Sequence, residues 1–218
     1  MSSFPLNKRF KYPRTFHIPQ SPGATSDDKI LKNLDQFKGK QIIITEKMDG
    51  ENTTIYSDGY MHARSIDGNN HPSRNWIKGN IVPLIANQVH ESLRFCGENL
   101  YAQHSIPYDN LASYFQVFST WSHELCCHWD DTIEECNSLG LVTVPVLYDG
   151  IFNEDIINEL IQTINFEKQE GFVIRLKNIF HISTFNNSVA KYVRKNHVVT
   201  DDHWAHKAII PNRLKNGN

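Results

Sequence analysis

Lys47 lies in the octapeptide Thr45-Glu46-Lys47-Met48-Asp49-Gly50-Glu51-Asn52. Gln41-Ile42-Ile43-Ile44 leads in and Thr53-Thr54-Ile55-Tyr56 leads out, and both β-branched flanks read as strands. Asp49-Gly50, two residues after the lysine, favours a tight turn. A free lysine has a pKa of about 10.4, so about one amine in 2,500 is neutral at pH 7. At a strand end facing a cleft, burial or neighbouring cations lower that pKa and free the amine as a nucleophile. The same residues fit a surface lysine beside a hairpin turn, so the rest of the chain has to decide.

Later stretches place further polar or aromatic groups at strand positions: Arg64 in Ala63-Arg64-Ser65, Glu98 in Gly97-Glu98-Asn99, Phe118 in Tyr114–Trp121, Glu170-Gly171, and Lys191 with Arg194-Lys195. Each alone is weak. An acid–glycine pair opening a strand is usually a turn, a cationic cluster is usually solvated surface, and a strand phenylalanine is often core.

The elements that must carry these groups follow from periodicity. Residues 1–25 hold Pro5, Pro13, Pro19 and Pro22 and read as extended or irregular. Ser26-Asp27-Asp28 is expected to cap a helix to about Phe37, with Ile30, Leu31, Leu34 and Phe37 on one face and Gly39 ending it. Strands are expected at 41–46, 52–57 and 60–65, then a mobile polar loop at 66–75. Apolar spacing predicts a helix from Trp76 to about Phe95, kinked at Pro83. Strands over 96–102, 114–121, 141–147, 171–176 and 189–193 and helices over 130–139 and 153–164 complete the pattern. Strands and helices mix without regular βαβ alternation, which points to an α+β fold on antiparallel sheets.

The length of 218 residues suits a single domain with a full core, and no apolar run approaches the length of a membrane span. The N-terminus lacks the apolar core of a secretory signal. The four cysteines form neither a disulfide framework nor a zinc pattern, and Cys126-Cys127-His128 and His203…His206 lack metal partners at zinc spacing. A reducing, cytoplasmic setting is expected, with Trp204 anchoring the C-terminal segment. Net charge is −2, so no global field advertises a nucleic acid. The ends differ: Lys8, Arg9, Lys11 and Arg14 stand without an acid in residues 1–14, and residues 189–218 are also basic. Basic ends on a mildly acidic body suit a local phosphate-binding patch, or ordinary solvated termini.

In this order the motifs resemble those of the covalent nucleotidyltransferases, the ATP-dependent ligases and mRNA capping enzymes. Lys47-Met48-Asp49-Gly50 is similar to the KxDG nucleophile motif and Gly97-Glu98-Asn99-Leu100-Tyr101 to the third motif. Tyr114-Phe115-Gln116-Val117-Phe118 resembles the adenine-stacking strand, Glu170-Gly171-Phe172-Val173-Ile174-Arg175 the "EG" motif, and Val189-Ala190-Lys191-Tyr192-Val193-Arg194-Lys195 the terminal lysine motif. Within the superfamily the RNA ligase family matches best, because Asn52 falls where that family contacts the RNA end.

The resemblance implies an α+β nucleotidyltransferase (ATP-grasp-like ligase) fold without an OB domain, as one adenylyltransferase domain over 1–218. Residues 1–40 would be an N-terminal extension and helix, 41–204 the motif-bearing core and 205–218 a basic tail. It implies Lys47 and Lys191 as catalytic residues. Nucleotide contacts would come from Glu46, Asp49, Arg64, Glu98, Phe118, Glu170, Lys191, Arg194 and Lys195, with Arg194 or Lys195 the second motif cation. Glu170 and Glu98 would hold the metal, Mg²⁺ with Mn²⁺ as a substitute, and Asn52 the RNA. The implied activity is ATP-dependent joining of RNA 3′-hydroxyl and 5′-phosphate ends through lysyl-AMP by a monomer that needs no membrane, a partner protein being one source of a missing RNA-binding domain. Alternatives are a DNA ligase, a GTP-dependent capping-type enzyme and a non-catalytic RNA-end or nucleotide-binding module. Cations around Lys47 are expected to lower its pKa.

Overall fold

A computed structural model describes residues 8–66, 71–195 and 209–215. In chain order these form β1 (Phe16–His17), β2 (Gln41–Lys47), β3 (Glu51–Tyr56), β4 (Met61–Ala63), α1 (Asn75–Asn80), α2 (Val82–Ile85), β5 (Leu93–Asn99), β6 (Phe115–Ser122), β7 (Leu125–Cys126), α3 (Trp129–Ser138), β8 (Val142–Thr143), β9 (Val146–Ile151), α4 (Glu154–Thr163), β10 (Gly171–Leu176), β11 (Phe180–His181), α5 (Phe185–Ser188) and β12 (Val189–Val193). One sheet runs β1-β12-β10-β2-β9, and the other runs β11-β7-β6-β5-β3-β4 with β8 added beside β6. Apart from β1 on β12 and β8 on β6, the pairings are antiparallel.

The first sheet is buried on both sides, which explains the unbroken Ile42-Ile43-Ile44 run. Ile42 and Ile44 join Phe172, Ile174, Ala190 and Tyr192 in a core that Ile157 of α4 and Phe37 complete. Because side chains alternate along a strand, Thr45, Lys47, Val173, Arg175, Val189 and Lys191 share the opposite face. Strand register sets these side by side: Val173 lies opposite both Thr45 and Lys191, Arg175 opposite Val189, and Gly171 opposite Lys47. Gly171 is obligatory, since a Cβ there would overlap the Tyr192 carbonyl. α1 and α2 cover the outer face of the second sheet, where Ile77, Ile81 and Ile85 pack on Ile55, Phe95, Phe115 and Val117.

Three expected elements change. Residues 27–37 form no capped α-helix; only a 3₁₀ turn at Asp35–Phe37 is helical. The backbone there is committed to β1, since His17 N donates to Lys29 O and Leu31 N to His17 O, both at 2.8 Å. Leu34 and Phe37 are buried as expected, but Ile30 is exposed. The long helix over 76–95 is instead two short helices and the first residues of β5. Pro83, without an N–H, sits in the first turn of α2, and Asn87 adopts φ 60° as the chain turns toward β5. The strand over 141–147 divides at Pro145 into β8 and β9, which serve different sheets. The loop at 66–75 folds into a 3₁₀ turn at Pro72–Arg74, and residues 67–70 lie outside the described residues. So do His203, Trp204, His206 and, of the basic tail, residues 205–208 and 216–218. No helix among the described residues is long and apolar enough to cross a membrane.

Candidate active site

A cleft of about 240 Å³ opens between the two sheets. The first sheet contributes Thr45, Glu46, Lys47, Val173, Arg175, Val189 and Lys191, and the second contributes Asn52, Glu98, Phe118, Ser119, Cys126 and Phe180. Arg64, just past β4, also lines it. Asn52 and Glu98 are cross-strand neighbours, so β3 and β5 present them together. Arg14, Lys47, Arg64, Arg175 and Lys191 outnumber Asp28, Glu46 and Glu98, making the cleft electropositive in a chain of net charge −2.

Lys47 ends β2 with its Nζ 2.5 Å from Glu170 Oε2, and the side chains are 25% and 5% exposed. The expected fall in its pKa is not what the geometry produces. Burial does pull the pKa down, but Glu170, Glu98 and Asp49 together hold it above the ordinary lysine value. The cation that is depressed is Lys191, brought to about 8 by burial and by the Lys47 charge. Glu98 is pushed up to about 8 by burial, with Glu170 and Asp49 adding to the shift and Lys47 opposing it. Burial also raises Glu46, against a hydrogen bond from Gln169 Nε2 at 3.2 Å.

Other expected contacts lie elsewhere. The Asp49 carboxylate accepts from Ser105 N at 2.8 Å, Ser105 Oγ at 2.6 Å and Ile106 N at 2.8 Å, while its own N–H donates to Tyr108 Oη at 2.9 Å. It ties the loop behind Lys47 and does not line the cleft. Arg194 donates to Phe166 O at 3.0 Å and Ser105 Oγ at 2.9 Å, also outside the cleft. Lys195 is exposed and likewise absent from the lining. Glu170 is buried behind Lys47, and Arg194 N donates to its carbonyl at 3.0 Å. Motif reasoning missed Tyr12, Arg14, Asp28 and Arg175. The acid-free basic run at the N-terminus signalled the arm, whereas Arg175 closes the stretch similar to the "EG" motif without a role assigned to it; its guanidinium donates to the Leu176, Phe118 and Cys127 carbonyls.

Among the described residues no three His, Cys, Asp or Glu side chains gather as a metal cage. Mg²⁺ needs none, since it typically takes one or two carboxylates with phosphates and water. Glu98 fits that use: a carboxyl held protonated by burial and neighbouring acids gains most from added positive charge.

A sequence model of the RNA ligase family matches residues 40–193. No curated protein matches the sequence. Among solved structures, an apo mutant of Naegleria gruberi RNA ligase is 18% identical with TM-score 0.51, over 74% of this chain and 51% of that one. A mutant of the same ligase with ATP and Mn is 14% identical with TM-score 0.50, over 74% and 51%. An archaeal ATP-dependent RNA ligase is 16% identical with TM-score 0.57, over 84% and 48%. The chain spans about half the length of these structures, and the likeness is one of fold. The fold is therefore an α+β one of the kind these ATP-dependent RNA ligase structures have, without an OB domain among the described residues. With the family match running over most of its length, the chain belongs to the RNA ligase family.

Proposed function

We propose that the chain is an ATP-dependent RNA ligase that joins an RNA 3′-hydroxyl to a 5′-phosphate through AMP carried on Lys47. The observation behind this reading is that Lys47, Asn52, Glu98, Phe118 and Lys191, from five separate strands, meet in one cleft. In the first step the Lys47 nitrogen bonds to the α-phosphorus of ATP, the bond to the bridging oxygen breaks, and pyrophosphate leaves. That nitrogen must first give up its proton and its ion pair with Glu170, so the free enzyme is a resting form. In the second step an oxygen of the RNA 5′-phosphate takes the AMP, breaking the P–N bond and restoring the amine. In the third the 3′-hydroxyl oxygen attacks the 5′-phosphorus, AMP departs, and the hydroxyl proton goes to solvent.

Lys191 stands where it can offset negative charge on the transferring phosphate. Phe118 offers the adenine an aromatic face. Asn52 lines the cleft with a buried Oδ1 that no donor among the described residues reaches, which suits a contact to the RNA end. A divalent cation on Glu98 and Glu170, Mg²⁺ or Mn²⁺, would supply charge that competes with the Lys47 ammonium and neutralises phosphate oxygens. Asp49, through its three hydrogen bonds to Ser105 and Ile106, would hold the turn after Lys47 rather than touch the nucleotide.

Incubation with α-labelled ATP and Mg²⁺ should label the wild-type chain, and Lys47→Ala should abolish the label. A retained label in that variant, or none on the wild type, overturns the proposal. Parallel reactions with GTP and with nicked DNA separate capping-type and DNA-joining chemistry.

A further inference from the structure

The family match begins at residue 40, yet Tyr12, Pro13, Arg14, Thr15 and Asp28 line the cleft. This arm is fastened on both sides of Arg14. Upstream, Arg9 pairs with Asp58 at 2.5 Å and lies over the rings of Tyr56 and Tyr60, 4.5 and 4.2 Å from their centroids. Tyr12 meets Phe118 and Phe185 edge-on at 5.2 and 5.4 Å. Downstream, β1 adds to the first sheet with His17 opposite Lys191. Between these anchors Arg14 donates one Nη1 hydrogen bond to the Asp27 carbonyl at 2.6 Å.

Every residue lining the cleft is buried or half-buried except two, Arg14 and Arg64. Exposure sets these two at the mouth, and they reach it from different parts of the chain. A guanidinium stays charged at any ordinary pH and presents a planar fork of donors that matches phosphate oxygens. Lys191 and Lys47 continue the cationic lining inward. The arm's own carboxylate in the cleft, Asp28, is already engaged: Thr25 N and Oγ1 donate to it at 3.1 and 3.0 Å, and His17 Nε2 lies at 3.5 Å.

We infer that Arg14 is a phosphate-binding residue, supplied by an arm outside the family core, and that with Arg64 it holds a phosphate group at the cleft mouth. That group is the triphosphate tail of ATP or the 5′-phosphate of an RNA strand, an assignment of ligand that rests on the proposed ligase function. The binding itself does not depend on Lys47 chemistry, so it is tested at equilibrium with the full chain. The probes are inorganic tripolyphosphate and a short single-stranded RNA carrying either a 5′-phosphate or a 5′-hydroxyl.

Arg14→Ala should weaken one phosphate probe by about 5–20-fold, the range for losing a charge-assisted hydrogen-bond pair at a partly solvated site. Arg14→Gln, which removes the charge but keeps an amide donor on an arm still anchored through Arg9, Tyr12 and β1, should weaken it equally. Lys11→Ala, which removes the same charge from the same arm away from the cleft, should change binding less than about twofold. Loss with tripolyphosphate assigns the nucleotide tail; loss with the 5′-phosphate strand but not the 5′-hydroxyl strand assigns the RNA end. Failure of the wild type to bind either probe overturns the inference. So do wild-type affinity in Arg14→Gln, a loss matched by Lys11→Ala, or an equal loss on both RNA strands. A wild type that binds phosphate but takes no label from ATP leaves this site standing and removes the ligase reading.

Discussion

Glu170→Gln should make Lys47 a stronger nucleophile in the free protein. The glutamine keeps the size of the side chain and an acceptor oxygen but removes the charge that lies 2.5 Å from the Lys47 Nζ. An opposite charge at such range shifts a pKa by about 1–3 units, or about 1.4–4 kcal/mol. With the side chains only 25% and 5% exposed, solvent screens this pair less than a surface pair, so losing the charge should lower the Lys47 pKa by the larger part of that range. The direction is set by what remains. Burial pulls the Lys47 pKa down, and Glu98 and Asp49 are left to oppose it. Activity is a poor readout, because Glu170 is also a proposed metal carboxylate. Competitive acetylation across pH 7–11, followed by peptide mass spectrometry, reads the neutral amine directly. At pH 8 Lys47 should react about 100-fold faster in the variant, once rates are scaled to their high-pH limits. An unchanged or higher pH midpoint would refute the claim that Glu170 keeps this lysine protonated.

Other outcomes follow from the same site and its supports. The Glu98 carboxyl holds its proton to about pH 8 when folded, against 4.5 ordinarily. Between those values the folded chain retains a Glu98 proton that the unfolded chain has released, so the contribution of Glu98 to stability falls as pH rises through the window and is constant outside it. Glu98→Gln should therefore gain about 1–3 kcal/mol more over wild type at pH 8.5 than at pH 4.5 in urea melts, and equal gains at both would contradict it. Gly171→Ala should cost about 3 kcal/mol or more in the same assay, since the new Cβ meets the β12 backbone and not a movable side chain. Arg74 donates to Glu51 at 2.7 and 2.6 Å from a nearly buried position, so Arg74→Met should cost about 3–5 kcal/mol by stranding the carboxylate. Adding Glu51→Leu should recover most of that loss, and a single variant costing under about 1 kcal/mol would show the pair to be solvent-screened.

Much of the site was legible in one dimension because its residues lie on strands. A two-residue period, together with a turn at Asp49-Gly50 and an acid–glycine strand start at 170–171, locates Lys47, Glu98, Phe118 and Lys191 at strand positions whatever the strands pair with. The strands over 171–176 and 189–193 have the expected bounds, and α3 and α4 lie within a residue of theirs. Those segments carry unmixed patterns with clear stops. The errors fall where local propensity competed with a distant partner. Residues 27–37 have helical spacing, but β1 takes their backbone hydrogen bonds. The apolar spacing past Ile85 suggested more helix, and β5 takes that chain because the second sheet needs a strand between β3 and β6.

By itself the order of residue types established an α+β chain with a candidate nucleophilic lysine, its family and most of its strands, since motifs and alternation are local properties. Only the tertiary structure decided charge and membership. Whether Lys47 is held neutral or protonated depends on which carboxylate packs beside it, and the fold brings Glu170, 123 residues away, to within 2.5 Å. Whether Asp49 or Arg14 faces the cleft depends on loop docking and on the addition of β1 to β12, and long-range pairing of that kind leaves no periodic trace in sequence.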